Sequence, residues 1–454
     1  MIVIVEKLSR STYPIARVIV EAEEPDFDLP WLRVRKERIA IAVVIGPRRL
    51  ITIASAVTHA VVPSHRGTTA NVIAIDHDRD LALLETNESL VEAWGVEPIE
   101  VGMVPSEGDA LDTLGVETGL GSAVVAAIGL VRYAHTQRHL LALTIDGRQP
   151  LTALCDAAFR GDRLVGLVMQ RAPDDAHRAD LIPAPMIRAF LEGAGSGAPL
   201  GVPALGIAVQ SLENAALRAQ LGVTNREDGV MVARVDVDGS CDGLVRARDV
   251  LVSIDGHTVS RSGTVDHGGR PLRHYVVLST KQLGDTSRLG LVRDGAPLEI
   301  EVPLRPWLPL VPRARHDVPA EYFIIAGLVF QPLKRDYLTT WEGWTDKAPK
   351  SLLDAYYTGC RTRTQHEVVV MTSVLDDAIN AGYAPFCNEV VVRVGDTAPL
   401  DLAHLVRLVD AATGYVSIEL SGGFLLTLEV GEARGATPRI LAANQIAADR
   451  SPGL

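Results

Sequence analysis

The stretch TIDGRQPLTALCDAAFRGDRLVGLVMQ, residues 144–170, carries the strongest indication of the fold of this chain. Its two ends are apolar strand segments, and its middle is a turn of small and polar residues. Short β-branched runs separated by such turns are typical of β-barrels and sandwiches. The turn contains Leu154, Cys155 and Asp156 but no serine, so it predicts a β-rich domain whose central turn is unusual.

The same pattern extends over residues 1–194, where short apolar strands alternate with Gly, Pro and Asp turns. Residues 183–193, PAPMIRAFLEG, then place apolar side chains on one face of a predicted helix, which Gly193 is expected to end. Residues 193–203, GAGSGAPLGVP, are rich in Gly, Pro and Ser and predict a linker. The first domain is therefore mainly β, with one helix at its end.

Two smaller α+β units follow the linker. Both contain a strand that turns through Gly and Asp and is followed later by a helix, as in DVLVSIDGHTV at 249–259 and EVVVRVGDTAPL at 389–400. This parallel predicts two diverged copies of one small fold. The Pro-rich residues 305–320 mark the boundary between the copies. The predicted domains are 1–194, 200–308 and 318–454.

The composition limits the kinds of partner. The 454 residues are 47% hydrophobic and 22% charged, which is globular composition, and the length favours about three domains. The net charge of −12 leaves no general basic surface, so we expect neither nucleic acid nor a membrane as a partner. No apolar run approaches the roughly 20 residues needed to span a bilayer.

The N-terminus and the cysteines indicate the compartment. The first residues, MIVIV, lack a basic region before the apolar run, so they predict a first strand and not a signal peptide. The four cysteines show no CxxC spacing and no nearby histidine pair, and we interpret them as small apolar residues of the interior. They are Cys155, Cys241, Cys360 and Cys387. We therefore expect a cytoplasmic protein that holds no metal and no cofactor.

Longer segments carry a family resemblance. The chain resembles the HtrA/Deg family of trypsin-like serine proteases in RRLITIASAVTH at 48–59, DHDRDLALLE at 76–85 and TALCDAAF at 152–159. It is similar to that family's PDZ domain in ALGIAVQSLENAALRAQLG at 204–222, and to a further PDZ-like domain of a plant-type branch in YFIIAGLVFQPL at 322–333. The resemblance implies a fold that is mainly β with α: a trypsin-like double β-barrel followed by two PDZ-like α+β domains.

The catalytic positions that the resemblance implies are mostly altered. Where the family has the histidine base in TNAH, this chain has TIAS, with Ser55 in place of the histidine. The orienting aspartate of DIALL is kept as Asp80 in DLALL. The nucleophile of GNSGGPAF is replaced by Leu154, and the two glycines that follow it are replaced by Cys155 and Asp156.

These replacements remove the chemistry of the triad. A triad needs a nucleophile, a base within about 3 Å and an acceptor that orients the base. Leucine cannot attack a carbonyl, a serine hydroxyl cannot replace imidazole as a base, and losing either group costs on the order of a million-fold in turnover. Side chains after Leu154 also disfavour the Gly-type turn of an oxyanion hole. The sequence predicts a catalytically inactive pseudoprotease.

One alternative keeps an enzyme. Cys155 lies beside the lost serine, and a thiolate served by a histidine such as His59 would be a competent nucleophile. If the segment around Ser55 is helical, His59 lies one turn further along and points away from Cys155. An active serine- or cysteine-type endopeptidase with a rearranged site is therefore the second hypothesis.

The PDZ-like segment offers a site that does not depend on the triad. PDZ domains pair an extended peptide with an edge strand, and a Gly-flanked loop before that strand binds the terminal carboxylate. The resemblance assigns this peptide-binding loop to Ala204, Leu205, Gly206 and Ile207. The same residues in a purely structural role would be the first strand after a linker, and both interpretations stay open here.

The resemblance also implies assembly. HtrA-type proteins commonly form trimers through the protease domain with the help of N-terminal aromatic residues, for which Tyr13, Phe27 and Trp31 are the candidates here. Phe27 and Trp31 are equally compatible with a local core. We expect a scaffold or regulator that binds peptides or unfolded proteins, forms a trimer-based homo-oligomer and has a catalytically active paralogue as a possible partner.

Overall fold

The computed structural model describes residues 1–8, 13–63, 67–116, 119–151, 155–313 and 315–454. They form two compact units. Unit 1 consists of Met1–Glu23 and Arg35–Trp307, and unit 2 consists of Glu24–Val34 and Leu308–Leu454. The three-domain division given above stays a prediction, because unit 1 contains both the barrel region and the middle region, residues 200–308.

Six strands of unit 1 close into the first barrel. Their pairing order is β1-β2-β3-β4-β6-β5, and β5 returns to β1. Val, Ile, Leu and Ala fill the interior, and in β4, β6 and the second half of β3 several consecutive residues are buried. The strands are β1 (Ile2–Lys7), β2 (Ile15–Pro25), β3 (Arg33–Gly46), β4 (Arg49–Thr52), β5 (Thr68–Asp76) and β6 (Leu81–Thr86).

The second barrel contains the described residues of the stretch 144–170. Its order is β11-β8-β9-β10-β13-β12, the β11–β12 pairing closes the ring, and β7 adds to β12 in parallel. The strands are β7 (Glu100–Val101), β8 (Ala110–Gly115), β9 (Gly119–Arg132), β10 (His139–Gly147), β11 (Ala157–Arg160), β12 (Arg163–Ala172) and β13 (Asp175–Pro183). The two barrels confirm the predicted fold class.

Three helices accompany the barrels: α1 (Ala54–Val57), α2 (Leu90–Trp94) and α3 (Ala184–Ser196). The prediction that Gly193 ends α3 is wrong. The helix continues to Ser196, and Gly197 follows in the left-handed conformation with φ of 68°. Gly193 is instead a close-packing residue, since a Cβ there would lie 2.9 Å from side-chain atoms of Gln282 and Leu200.

The middle region is a small α+β fold. Its main sheet has the order β15-β16-β17-β21-β22, and Asn214 caps α4 by accepting from the Leu217 amide. The helix predicted around residues 273–281 is only a short 3₁₀ helix, His274–Leu278. The elements are β14 (Pro203–Ala204), β15 (Ile207–Gln210), α4 (Ala215–Gln220), β16 (Val230–Val235), β17 (Val250–Ile254), β18 (His257–Thr258), β19 (Thr264–Asp266), β20 (Pro271–Arg273), β21 (Thr286–Arg293), β22 (Ala296–Pro303) and β23 (Arg305–Pro306).

Unit 2 is built on one antiparallel sheet in the order β24-β25-β26-β27-β28-β29. The predicted helix after residue 400 is present as α8, whose first turn is capped by Asp401. The strands are β24 (Phe323–Ile325), β25 (Leu328–Pro332), β26 (Val369–Val374), β27 (Glu389–Val394), β28 (Tyr415–Leu420) and β29 (Leu425–Glu429). The helices are α5 (Arg335–Leu338), α6 (Trp344–Lys347), α7 (Lys350–Thr358), α8 (Leu402–Ala411) and α9 (Val430–Ala443), with short 3₁₀ helices at Ala378–Asn380, Ala384–Phe386 and Ser421–Gly423.

The three aromatic residues considered for a trimer contact are all engaged within the chain. In unit 1 the Tyr13 ring stacks on Phe159 with centroids 3.9 Å apart. In unit 2 the Phe27 carbonyl accepts from Gln331 at 3.2 Å, and Trp31 meets the ring of Tyr322 edge-on at 5.9 Å. These contacts favour the local-core alternative for Phe27 and Trp31, and oligomerisation stays a prediction.

Both Cys155 and Cys241 are buried, whereas Cys360 and Cys387 are half-buried, and all four are free thiols. No described helix has both the length and the apolar character needed to cross a bilayer. Within the described ranges, no group of three or more His, Cys, Asp or Glu side chains is arranged to hold a metal ion.

Candidate functional site: the barrel turn and the middle groove

Ser55 and Asp80, two of the predicted triad positions, lie in direct contact. Ser55 belongs to α1, and its amide donates to Asp80 Oδ1 at 2.6 Å. Its hydroxyl donates to Asp80 Oδ2 at 3.1 Å, and the Ala54 amide donates to the Asp80 backbone carbonyl at 3.1 Å. Asp80 holds this position with a left-handed φ of 56°. The carboxylate thus binds the first turn of α1, where free amides need an acceptor.

The protonation of Asp80 follows from its burial. The side chain is 2% exposed, and burial raises the pKa of its carboxyl to about 7, although the hydrogen bonds from Ser55 oppose the shift. Both oxygens of the Asp80 side chain accept hydrogen bonds from Ser55. A hydroxyl cannot act as the base of a triad, so this pair cannot activate a nucleophile.

The nucleophile position itself, Leu154, lies outside the described residues. The next residue, Cys155, is fully buried and left-handed, with φ of 58°. The Thr52 hydroxyl donates to its sulfur at 3.4 Å, and burial raises the pKa of the thiol to about 12. A thiol with that pKa is ionised in only about one molecule in 10⁵ at pH 7, which is the opposite of the environment of a reactive cysteine.

Helix α1 is too short to include His59. α1 ends at Val57, and His59 follows with a left-handed φ of 59°. Its carbonyl accepts from the Glu23 amide at 3.0 Å. The placement of His59 one helical turn beyond Ser55 required a helical segment, and that condition is not met, because the chain leaves the helix before it reaches His59.

Arg79, next to Asp80, joins the barrel to the middle region. Its side chain is fully buried and pairs with the equally buried Asp76 at 2.6 Å. It also donates to carbonyl oxygens of the middle region and the preceding linker, namely those of Gly201 at 3.2 Å, Ser279 at 3.3 Å and Lys281 at 2.5 Å. The loop that carries Asp80 is thus bonded to the segment that follows the 3₁₀ helix.

The four predicted peptide-binding residues all line one groove. Ala204, Leu205, Gly206 and Ile207 border a cavity of about 360 Å³ in unit 1. The opposite walls are largely apolar and include Val209, Leu278 and Tyr275 of the middle region, Leu140 of β10, and Trp307. A largely apolar cavity of this volume with a few polar groups is typical of ligand sites.

The backbone at the head of this groove presents free donors. The amides of Leu205 and Gly206 have no hydrogen-bond acceptor in the part of the chain that the structure describes. Their carbonyls are satisfied, since Cys241 donates to that of Leu205 at 3.0 Å and Asp236 to that of Gly206 at 2.8 Å. Gly206 adopts φ of 67°, which lets successive amides turn toward one point. The loop has the donors that a terminal carboxylate requires.

Two further features suit an extended ligand. β15 is the last strand of its sheet, so its outer edge has no partner strand among the described residues. His274 lines the groove and contacts the Gly263 carbonyl through Nδ1 at 3.1 Å, and burial lowers the pKa of its imidazole. A neutral ring that donates through Nδ1 leaves Nε2 as an acceptor.

The sequence did not predict the walls that come from outside the middle region. Gln137, Arg138, His139 and Leu140 reach the groove from the barrel. Arg138 is fixed there by Asp78 at 2.9 Å and by the Pro203 carbonyl at 2.9 Å. No local pattern marks these residues, because only the packing of the barrel against the middle region brings them to the groove.

Comparisons with known proteins give a family model for unit 2 and relatives along nearly the whole chain. A PDZ-domain family model matches residues 311–453. The chain is 29% identical to the chloroplastic protease Do-like 2 of Arabidopsis thaliana, over 97% of this chain and 75% of that protein. It is 27% identical to the mitochondrial protease Do-like 4 of the same plant, over 95% of this chain and 83% of that protein.

One solved structure is similar in fold. An AlgW variant, an HtrA-type protease solved with a decapeptide, matches with a TM-score of 0.50 and 18% identity, over 66% of this chain and 96% of that one. At this identity the likeness concerns the fold alone.

Proposed function

The chain is a homologue of the Do-like proteases of the HtrA/Deg family, and from this premise we propose that it is a non-catalytic member that binds peptides through the groove of its middle region. In this proposal it acts in the cytoplasm as an oligomeric scaffold or regulator. Its ligands are the free C-terminal ends of peptides or unfolded proteins.

The observation that carries the proposal is the pair of free amides beside an apolar groove. Leu205 and Gly206 offer two donors at one end, and the unpaired edge of β15 continues from them. A peptide that enters as an added strand would place its terminal carboxylate at these amides and its last side chain among Leu205, Ile207 and Leu278. A ligand that brings carboxylate oxygens into the groove would give both amides acceptors.

The absence of catalysis in the proposal is supported by the barrel turn. Asp80 is bonded to a hydroxyl where a triad needs an imidazole, and Cys155 is buried with a thiol pKa of about 12. No observation favours the rearranged endopeptidase, since neither a base nor an ionised nucleophile is present in the described part of the site. The protease fold therefore serves binding and assembly.

The binding experiment uses a pool of fluorescein-labelled decapeptides that are random except for an apolar C-terminal residue. We expect the fluorescence anisotropy of the pool to rise when its peptides bind the protein. A pool with amidated C-termini should bind at least tenfold more weakly. Ile207→Glu puts a negative charge in the groove and should abolish binding, whereas Gln210→Glu adds the same charge on the exposed opposite side of β15 and should not. Equal binding of the amidated pool would contradict a carboxylate site.

The catalytic alternative has its own test. The purified protein is incubated with unfolded casein and with a thiol-directed activity probe. We expect no turnover and no labelling of Cys155 in the folded chain. Casein cleavage that is lost in Cys155→Ala would overturn the proposal of a pseudoprotease.

The assembly is tested by the mass of the protein in solution. Sedimentation equilibrium of the purified chain is expected to give a multiple of three subunits, and co-purification from its source is expected to recover a catalytically intact paralogue. A monomer would refute the oligomeric scaffold, and recovery of this chain alone would refute the paralogue as partner.

A further inference from the structure

The middle region and unit 2 contain matching segments at the start of their sheets. GIAVQSL at 206–212 and GLVFQPL at 327–333 share Gly, Gln and Leu at the same spacing, and each runs into an equivalent strand, β15 or β25. Both glycines are left-handed, with φ of 67° and 82°. Each glycine carbonyl accepts a backbone amide at 2.8 Å, from Asp236 in one case and from Leu375 in the other. The two segments are structural equivalents.

The strand edges differ between the two copies. β15 ends its sheet, whereas β25 lies between β24 and β26. β24 runs antiparallel to β25 and joins it through the two-residue turn Ala326–Gly327, with Phe323 opposite Phe330 and Ile325 opposite Leu328. The chain's own strand thus occupies the edge that an added peptide would use.

The loop amides differ in the same way. Ala326 is the equivalent of Leu205, and its amide donates to Thr437 Oγ1 at 2.8 Å. Thr437 is 6% exposed and belongs to α9, where its hydroxyl donates to the Ala433 carbonyl at 2.8 Å. An oxygen of this chain therefore stands where the first copy has a donor without an acceptor. Unit 2 supplies the oxygen that a peptide carboxylate would provide.

Strand β24 is itself hydrogen-bonded to residues 449–451. The Ile324 amide donates to the Asp449 carbonyl at 2.6 Å, and the Ser451 amide donates to the Tyr322 carbonyl at 3.0 Å. The Tyr322 amide donates in turn to the Ser451 hydroxyl at 3.2 Å. Residues 449–451 thus extend the sheet beyond β24 and leave no free edge on this side of β25.

We infer that unit 2 is a closed PDZ-like domain whose peptide position is filled by its own strand β24 and by Thr437. Among the residues that the structure describes, one open peptide site then remains, which is the groove of the middle region. The inference that unit 2 is closed does not depend on the proposed function. Only the statement that one open site remains, in the middle region, rests on the proposed function.

Hydrogen exchange of the full chain, resolved to single amides by mass spectrometry, tests the closure without any ligand. We expect the amide of Ala326 and the facing amides of β24 and β25 to exchange at least tenfold more slowly than those of Leu205 and Gly206. Thr437→Val keeps the shape of the side chain but removes the acceptor, so it should speed exchange at Ala326 at least tenfold and leave Leu205 unchanged. Exchange at Ala326 as fast as at Leu205 would overturn the inference.

Crosslinking tests the count of sites. The decapeptide pool described above, with a benzophenone near its C-terminus, is photolysed with the full chain and the adducts are mapped. Adducts confined to residues 204–210 and 274–278 are expected. Adducts on residues 323–333 would refute the closed domain. Protected amides in unit 2 together with no adduct in the middle groove would refute the proposed peptide binding while the closure of unit 2 stands.

Discussion

Replacing Arg79 with methionine tests how the barrel is joined to the middle region. The change removes a fully buried guanidinium and leaves the buried Asp76 carboxylate without its partner. Three carbonyl acceptors, those of Gly201, Ser279 and Lys281, lose their donor at the same time. Breaking one partner of a buried pair costs about 3–5 kcal/mol, because the remaining charge stays desolvated.

The assay must report local opening, because a chain with two compact units need not unfold in one step. Hydrogen exchange of the segment 279–282 serves this purpose, and about 3–5 kcal/mol corresponds to a rise in opening of roughly 10²- to 10⁴-fold. Arg288→Met is the control, since Arg288 and its partner Glu299 are both mostly exposed and such pairs contribute about 0–1 kcal/mol.

A second substitution separates the charge from the packing. Burial already raises the pKa of Asp76 while Arg79 opposes the shift, so without Arg79 the carboxyl should take up a proton more readily. We expect the loss in Arg79→Met to be larger at pH 8 than at pH 5, and Asp76→Asn in the same chain to recover part of it at pH 8. A rise of less than tenfold in Arg79→Met, or no recovery at pH 8, would refute the reasoning.

Three further changes have expected outcomes. Burial raises the pKa of the Asp80 carboxyl from its ordinary value of 3.8 to about 7, so the protonated form stabilises the fold at low pH and this contribution falls as the pH rises from about 4 to 7. Asp80→Asn should flatten that decline in urea titrations, and an unchanged slope would contradict the expectation. In the folded chain, iodoacetamide should label Cys155 at least a hundredfold more slowly than the half-buried Cys360, as followed by mass spectrometry. In denaturant, the two cysteines should be labelled at equal rates. Gly327→Ala puts a Cβ 2.4 Å from a backbone oxygen and should prevent unit 2 from folding, whereas Gly382→Ala meets open space and should cost only about 1–2 kcal/mol in thermal unfolding.

Local patterns in the sequence were sufficient for most of the strands and for some of the helices. Short β-branched runs between Gly, Pro and Asp turns predicted the barrel strands, and the carboxylate of Asp401 before an apolar helical period marks the start of α8. The segment α5–α7 and the helix α9 were not predicted, and Pro438 inside α9 argues locally against a helix. The role of Gly193 was also predicted wrongly, since its close contact with Gln282 comes from a segment distant in sequence.

The candidate sites show the same difference between features with a local sequence pattern and features that depend on contacts between distant residues. The loop at the head of the middle groove could be located from the sequence because Gly206 and its neighbours form a continuous segment with a recognisable pattern, and its binding of a carboxylate stays a prediction. The closure of unit 2 could not be predicted, because the acceptor for Ala326 is Thr437, more than a hundred residues away, and no local signal distinguishes an open edge from a filled one. A resemblance to a PDZ domain therefore predicts a groove but not whether the groove is free.

Asp80 shows why an aspartate at a position that the resemblance assigns to a triad is not by itself a sign of catalysis. Its carboxylate accepts the amide and the hydroxyl of Ser55, and it thereby fixes the first turn of α1 at the end of the barrel. Replacing the base by serine keeps a donor for this carboxylate, whereas an apolar residue would leave a buried acceptor with one partner fewer. The pair Ser55–Asp80 thus has a structural role that needs no nucleophile, and it is consistent with a barrel that positions the middle groove through Arg79, the next residue along the chain.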